Sequence, residues 1–337
     1  NRASIANAVQ QVSFFSGAKG HLNGGVPFKN GILFQGELLP HNPETFYTYN
    51  LNFDYDSQAT CPTWIRCVGE WLDNDEERMV LLRQWLCYLV SGRNDLHKIW
   101  ILTGVKRGGK GTILKIISEL LGEGNYSAPS FGSFAAPFGL QGSVGKRAMI
   151  IPDAHLPKGD QGVILDRLKS ISGQDAIDVA RKNKTELCAV RLGVIVIACN
   201  ELADIKDESN ALIGRYSILN FKRSFEGKED NQLENKLRGE LSGIFNWVMG
   251  CPKFDSFDEG ADALEVKREL TASSNPVRAW AVENCSSSLT EYTKTDSLFA
   301  HFQKWCEENH SRSPAKNAFC RSIKQIFPYA KIAVSYT

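Results

Sequence analysis

The chain has 337 residues, 42% of them hydrophobic and 23% charged, the ordinary mix of a soluble globular protein and not of a disordered, collagenous or disulfide-scaffold chain. Its 39 basic and 38 acidic side chains leave a net charge of +1, so any nucleic-acid surface must be a local patch and not a field of the whole molecule. Nine cysteines without a CxxC pair or a zinc-spaced Cys/His cluster imply reduced thiols and a cytoplasmic setting, and no apolar run approaches the roughly 18 residues of a membrane span. The opening NRASIANAVQQ has neither an initiator Met nor a signal-peptide layout, which reads as a piece of a longer polypeptide.

At roughly 100 to 200 residues per domain, two or three units are expected. Up to about Asp75 the sequence is rich in turn signals, with VPFKNGILF, the cluster from Pro40 to Pro43, and YTYNLNFDYD. The run EERMVLLRQWLCYLVSG then places Met79, Leu82, Leu86, Leu89 and Val90 at helical spacing, with Gly92 as a stop. Together these predict an N-terminal adaptor or helical collar over 1–92.

From there the short apolar runs KIWILTG, RAMIIPD, LGVIVIACN and YSILNF alternate with segments of helical period, the punctuation of a buried, largely parallel sheet. AIDVA and TELCAV flank the basic tip RKNK, which predicts a projecting β-hairpin. KEDNQLENKLRGELSGIFNWVMG reads as one long amphipathic helix closing a core over 93–250. Beyond it, NPVRAWAVENC, TDSLFAHFQKWCEENH and PAKNAFCRSIKQIF predict three helices, and PYAKIAVSY a strand. That pattern suggests a winged-helix-like domain over 251–337. The expected fold is therefore α/β, a P-loop parallel-sheet core between a helical collar and a small C-terminal domain.

The sharpest chemical signal is ILTGVKRGGKGTILKIISELL, in which an apolar strand enters G-x-x-x-x-G-K and then an amphipathic helix. Gly104, Gly108 and Gly109 permit a tight loop whose amides face a phosphate, and Lys110 neutralises the outer phosphates. Gly111 stands where a hydroxyl residue usually holds Mg²⁺, which leaves that role to Thr112. GKRAMIIPDAH ends a strand in Asp153, placed for Mg²⁺ and water, with His155 and Asp160 as weaker neighbours. LGVIVIACN ends in the amide Asn200, and Arg215 stands between a helical segment and the next strand.

The series NGILF, ELLPHNPETFYTYNLNFDYD, GVKRGGKGT, GKRAMIIPDAHL, LKSISGQDAIDVARKNK, CNELADIKDESNALIGRY and FKRSFEGKEDNQLENKL resembles the superfamily 3 helicase region of phage- and plasmid-encoded primase-helicases. The poxvirus primase-helicase is a more distant likeness. The resemblance covers the chain from about Val26 to Trp247, and the C-terminal unit is similar to the winged-helix tail of that group.

It implies an AAA+-like ATPase that binds ATP and Mg²⁺ between the subunits of a homo-oligomeric, hexameric ring, with single-stranded DNA in the channel. A primase or polymerase part would precede Asn1 in the same polypeptide. Lys110 and Asp153 then match the two Walker motifs, Asn200 the sensor and Arg215 a finger acting on a neighbour's nucleotide. Thr112 and Asp153 are the implied metal ligands. Lys169, Arg181, Lys182 and Lys184 are the implied DNA contacts, in agreement with the basic tip of the hairpin. An ATP-dependent assembly module that positions a primase or polymerase without robust unwinding is the alternative. A P-loop small-molecule kinase would leave the hairpin and Arg215 unexplained.

Overall fold

The computed structural model describes residues 25–42, 50–154, 157, 159–180, 182, 188–200, 212–285, 293–309, 311 and 313–327. The chain divides into two compact units, residues 1–205 with 215–263, and residues 206–214 with 264–337.

The first unit opens with a small antiparallel sheet of β1 (Val26–Phe28), β2 (Gly31–Phe34) and β3 (Glu37–Leu39). Two helices follow, α1 (Pro62–Trp71) and α2 (Glu76–Val90). Local chemistry sets their ends. Pro62 opens α1, where a missing N–H costs nothing. Asp75 caps α2 by accepting from the Arg78 amide at 3.1 Å, with Glu76 and Glu77 in the first turn facing the positive end of the helix.

The centre is a five-stranded parallel sheet in the order β10 (Tyr216–Phe221), β4 (Ile99–Gly104), β9 (Val194–Ala198), β6 (Ala148–Ile151), β5 (Tyr126–Ser127). These are the apolar runs expected as strands. Both faces are covered, because alternate residues such as Trp100 and Leu102 on one side and Ile99 and Ile101 on the other are all buried. On the first side α2 lies across β4 and β10. Trp85 stacks on Trp100 at 5.0 Å and 12°, and its indole N–H donates to Ser217 Oγ at 3.0 Å. The collar helices thus share one apolar core with the sheet, α3 (Lys110–Leu121), α6 (Leu233–Gly239) and α7 (Leu241–Met249). The short α4 (Phe131–Ala135) packs with α5 (Gln161–Ser172), which rests against β9. After α5 the predicted hairpin is present as antiparallel β7 (Ile177–Val179) and β8 (Cys188–Val190).

The long helix expected over 228–250 is instead two, α6 and α7, separated at Glu240. The Glu240 carboxylate accepts from the amides of Thr63 and Trp64 at 3.0 and 2.9 Å, serving donors at the start of α1. Gly243 then lies so close to the Thr60 carbonyl that a Cβ there would meet it at 2.2 Å. The break lets the segment dock on α1.

α8 (Ala261–Ser274) begins at the end of the first unit. In the second unit, α9 (Pro276–Asn284), α10 (Thr295–Glu308) and α11 (Lys316–Ile326) are the three expected helices. They close on Val277, Trp280, Phe302, Trp305, Phe319 and Ile323, with Phe302 stacked on Phe319 at 4.8 Å. The strand expected in PYAKIAVSY lies outside the described residues. Among the described residues no helix is long and apolar enough to cross a membrane.

Candidate active site

The loop from β4 to α3 takes its shape from two glycines. Gly104 has φ +115°, and a Cβ on it would meet the Phe221 carbonyl oxygen at 2.1 Å. Gly109 has φ +101° and lies against the Trp71 ring. Both positions demand the left-handed region and leave no space for a side chain. The Val105 amide donates to the Phe221 carbonyl at 2.9 Å, extending the β4–β10 pairing by one step. The outer side of the loop is clasped by the segment after β10. Ser224 Oγ donates to the Lys106 carbonyl at 3.0 Å, the Phe225 amide to the Arg107 carbonyl at 3.1 Å, and Arg107 lies 3.7 Å from Glu229.

Lys110 is the first residue of α3 and is 9% exposed. Its ammonium donates to the carbonyls of Gly104 and Val105, both at 2.7 Å. Burial lowers its pKa from the usual lysine value, partly offset by the Cys199 thiol nearby. A cation held at the mouth of a glycine loop, on the N-terminal end of a helix, is an anion site in waiting. Gly111 faces open space, with nothing within 4 Å of a Cβ there, and Thr112 behind it is half-buried.

The other expected residues follow β6 and β9 at the same edge of the sheet. Asp153 is exposed two residues past the end of β6, and the next residue, Ala154, donates its amide to Ala198 of β9 at 3.1 Å. The Cys199 amide donates to Leu102 of β4 at 3.0 Å, and the exposed Asn200 follows. A row of backbone bonds beyond the strand ends therefore sets the starts of the loops that carry Lys110, Asp153 and Asn200. This is the carboxyl edge where open parallel sheets bind ligands. Thr112 and Asp153 supply the hydroxyl and carboxylate oxygens that a hard divalent cation takes. Asp160 immediately precedes α5 with φ 57°, and His155 lies outside the described residues.

Arg215 is elsewhere. It precedes β10, whose first residue pairs with the first residue of β4, so it sits at the opposite edge of the sheet. Six residues of strand separate the two edges, roughly 17 Å. Its guanidinium donates to the Lys169 carbonyl and to Ser172 Oγ at 3.0 Å, at the negative end of α5. Arg215 cannot reach the Lys110 loop of its own chain.

Of the expected DNA contacts, Lys169 lies on α5 with its ammonium 3.9 Å from Asp166. Lys182 is exposed beyond β7, and its amide donates to Gln141 Oε1 at 2.7 Å. Arg181 and Lys184 lie outside the described residues. Sequence reasoning missed Trp71, Arg78, Glu240 and the 222–229 clasp. Of these, the Gly239–Glu240 interruption within the helical run was the one readable signal.

Family models match the chain on both sides of the core, in line with the family resemblance. A model described as D5 N terminal like matches residues 22–73, and one described as poxvirus D5 protein-like matches residues 272–336. A family of unknown function, DUF5906, matches residues 102–215, from β4 to Arg215. Among solved structures the chain is similar to the apo C-terminal region of NrS-1. In one form the identity is 14%, over 84% of this chain and 72% of that one, with a TM-score of 0.57. A second form gives 15%, 87%, 74% and 0.56. A third gives 15% over 66% of this chain and 55% of that one, little more than half its length, with a TM-score of 0.51. At these identities the likeness is one of fold. No curated protein matches the chain.

Proposed function

Because the chain resembles the helicase domain of D5-type primase-helicases, with a P-loop α/β core between the two matching flanks, we propose that it hydrolyses ATP at the interfaces of a homo-oligomeric ring, hexameric by family likeness, and moves along single-stranded DNA. The observation that carries this reading is the split placement of its parts. The glycine loop, Asp153 and Asn200 lie at one edge of the sheet, and Arg215 at the other. A complete site on this plan needs two subunits.

In the proposed reaction the loop amides and Lys110 bind the phosphates, the lysine exchanging two carbonyls for phosphate oxygens. Thr112 and Asp153 would hold Mg²⁺, which when bound neutralises and orients the phosphate oxygens. Asn200 orients the attacking water. Arg215 of the adjacent subunit stabilises the charge that develops on the transferred group. Lys182 and Lys169, with Arg181 and Lys184 beside Lys182 in the sequence, contact the phosphate backbone of the strand. Such contacts give little sequence preference and steep salt dependence. The primase or polymerase of the same polypeptide would be served by this motor.

One observation favours the second reading, an ATP-dependent module that positions a primase or polymerase without robust unwinding. In the single chain Arg215 is engaged by the last turn of α5. ATP hydrolysis with and without single-stranded DNA, beside strand displacement on a forked duplex, decides between them. DNA-stimulated turnover with displacement is expected. Turnover without displacement supports the positioning module, and no nucleotide binding at all rejects both.

A further inference from the structure

On its Gly109 side the phosphate loop rests on an indole ring. A Cβ on Gly109 would meet Trp71 Cδ2, Cγ and Cε2 at 2.6, 2.7 and 2.8 Å, so the indole lies directly against the glycine backbone. Trp71 is the last residue of α1 and 5% exposed. Behind it Trp64 packs edge-on at 6.0 Å, and Trp247 on Trp64 at 6.1 Å. The Arg83 guanidinium covers the Trp247 ring at 5.2 Å. The ring under Gly109 is therefore the end of a packed aromatic ladder, in which displacement of one member disturbs the next.

The turn that follows Trp71 is fixed as firmly. Asp73 and Asn74 both have positive φ, 55° and 53°, and the Asn74 amide donates to the Gly69 carbonyl at 2.7 Å. The buried Arg78 donates to Asp75 at 3.0 Å, to Asp73 at 3.4 Å and to the carbonyl of Asn220 at 2.9 Å. Asn220 precedes Phe221, whose carbonyl takes the Val105 amide at the start of the phosphate loop. The collar thus meets the loop at one end through a ring and, at the other, reaches the strand beside it through a guanidinium.

We propose that Trp71 is a positioning residue of the nucleotide site: its ring sets the place of Gly109, and through Gly109 that of Lys110 and the phosphate-facing amides. The inference rests on the ATP reading above. It makes the collar a working part of the site, and it gives whatever is joined to the N-terminal side of α1 a mechanical path to ATP affinity. Truncating the ring lets Gly109 settle toward the space left behind, and small displacements of a binding group have large effects on productive binding.

The test compares Trp71→Leu and Trp71→Phe with Lys110→Ala in the whole chain. It reads the ATP KM and kcat, the shift in Tm produced by MgATP, and the Tm without nucleotide. Trp71→Leu is expected to raise the KM about tenfold with kcat held within about threefold, and to shrink the MgATP shift. Trp71→Phe, which keeps a flat ring, restores most of the affinity. A lowered Tm with unchanged KM in both variants would mean that the ring only fills the core, and would overturn the proposal. If Trp71→Leu does not fold, Trp71→Phe decides alone: a KM raised two- to threefold supports the proposal, and an unchanged KM overturns it. Unimpaired turnover in Lys110→Ala would reject the ATP reading itself, and this inference with it.

Discussion

The two edges of the central sheet differ in what they offer a ligand. At the carboxyl edge, the loop after β4, the residues after β6 and those after β9 converge, stitched by the amides of Val105, Ala154 and Cys199. Near it Lys110 is a desolvated cation whose partners are backbone carbonyls. At the amino edge one guanidinium nitrogen of Arg215 is engaged on the end of α5. On the proposed reading, one chain carries two halves of a site that face different ways. On that reading the first half receives an anion, and the second is presented from the end of α5.

The largest expected effect comes from emptying the first half. Lys110→Ala should cut ATP turnover at least about a hundredfold, because the ammonium acts on phosphate charge where it develops. Its Tm should change little, since the lysine's burial already disfavours its charged form. Steady-state ATPase and thermal unfolding on the same preparation check both statements. Substantial loss of fold would show that the lysine holds the loop together.

A smaller effect is expected from the clamp between α2 and the strand beside the glycine loop. Arg78→Met should destabilise the first unit by about 2 kcal/mol, because it strands the Asn220 carbonyl and two carboxylates that shared one buried cation. Burial pushes the Asp75 carboxyl up, but hydrogen bonds from the Arg78 amide and side chain, with its charge, leave it below the ordinary aspartate value. A group depressed in the folded state adds stability that is present above its unfolded pKa and is lost as pH falls through the folded one. Wild type should therefore lose stability between about pH 4 and the folded pKa of Asp75, and Arg78→Met should lose less over that range. Urea titrations at pH 7 and pH 3 measure the difference.

The smallest effect is expected at Gly111. A Cβ there meets nothing within 4 Å, so Gly111→Ser should leave stability within about 0.5 kcal/mol and keep turnover. A strong loss of activity would show that the bare backbone at this position is itself needed by the nucleotide, and would sharpen the account of the anion-receiving edge.

Most of the core was legible because its signals are local. Apolar runs of strand length end in glycine, aspartate or asparagine, and the glycine loop leads straight into an amphipathic helix. The hairpin was legible for the same reason, since AIDVA and TELCAV alternate around a polar tip. What escaped is nonlocal. Nothing in the spacing of Trp71 says that its ring will meet Gly109, 38 positions later. Glu240 looks like one more charge on a helical face until its carboxylate is seen to serve two amides of α1, 176 and 177 positions away. Arg215 was legible as an arginine before a strand. Which edge of the sheet it would occupy depends on the parallel register of β10 with β4.

The central claim is that the two edges complete one another between subunits. It is tested most directly by mixing Arg215→Ala with Lys110→Ala in equal amounts under assembling conditions and measuring ATP hydrolysis. Each variant alone should be nearly inactive. Random assembly restores a whole interface in roughly a quarter of cases whatever the ring size, so the mixture should recover up to about a quarter of wild-type turnover. A mixture no more active than its components, with Arg215→Ala altered only in stability, would contradict the account and leave Arg215 as the cap of α5.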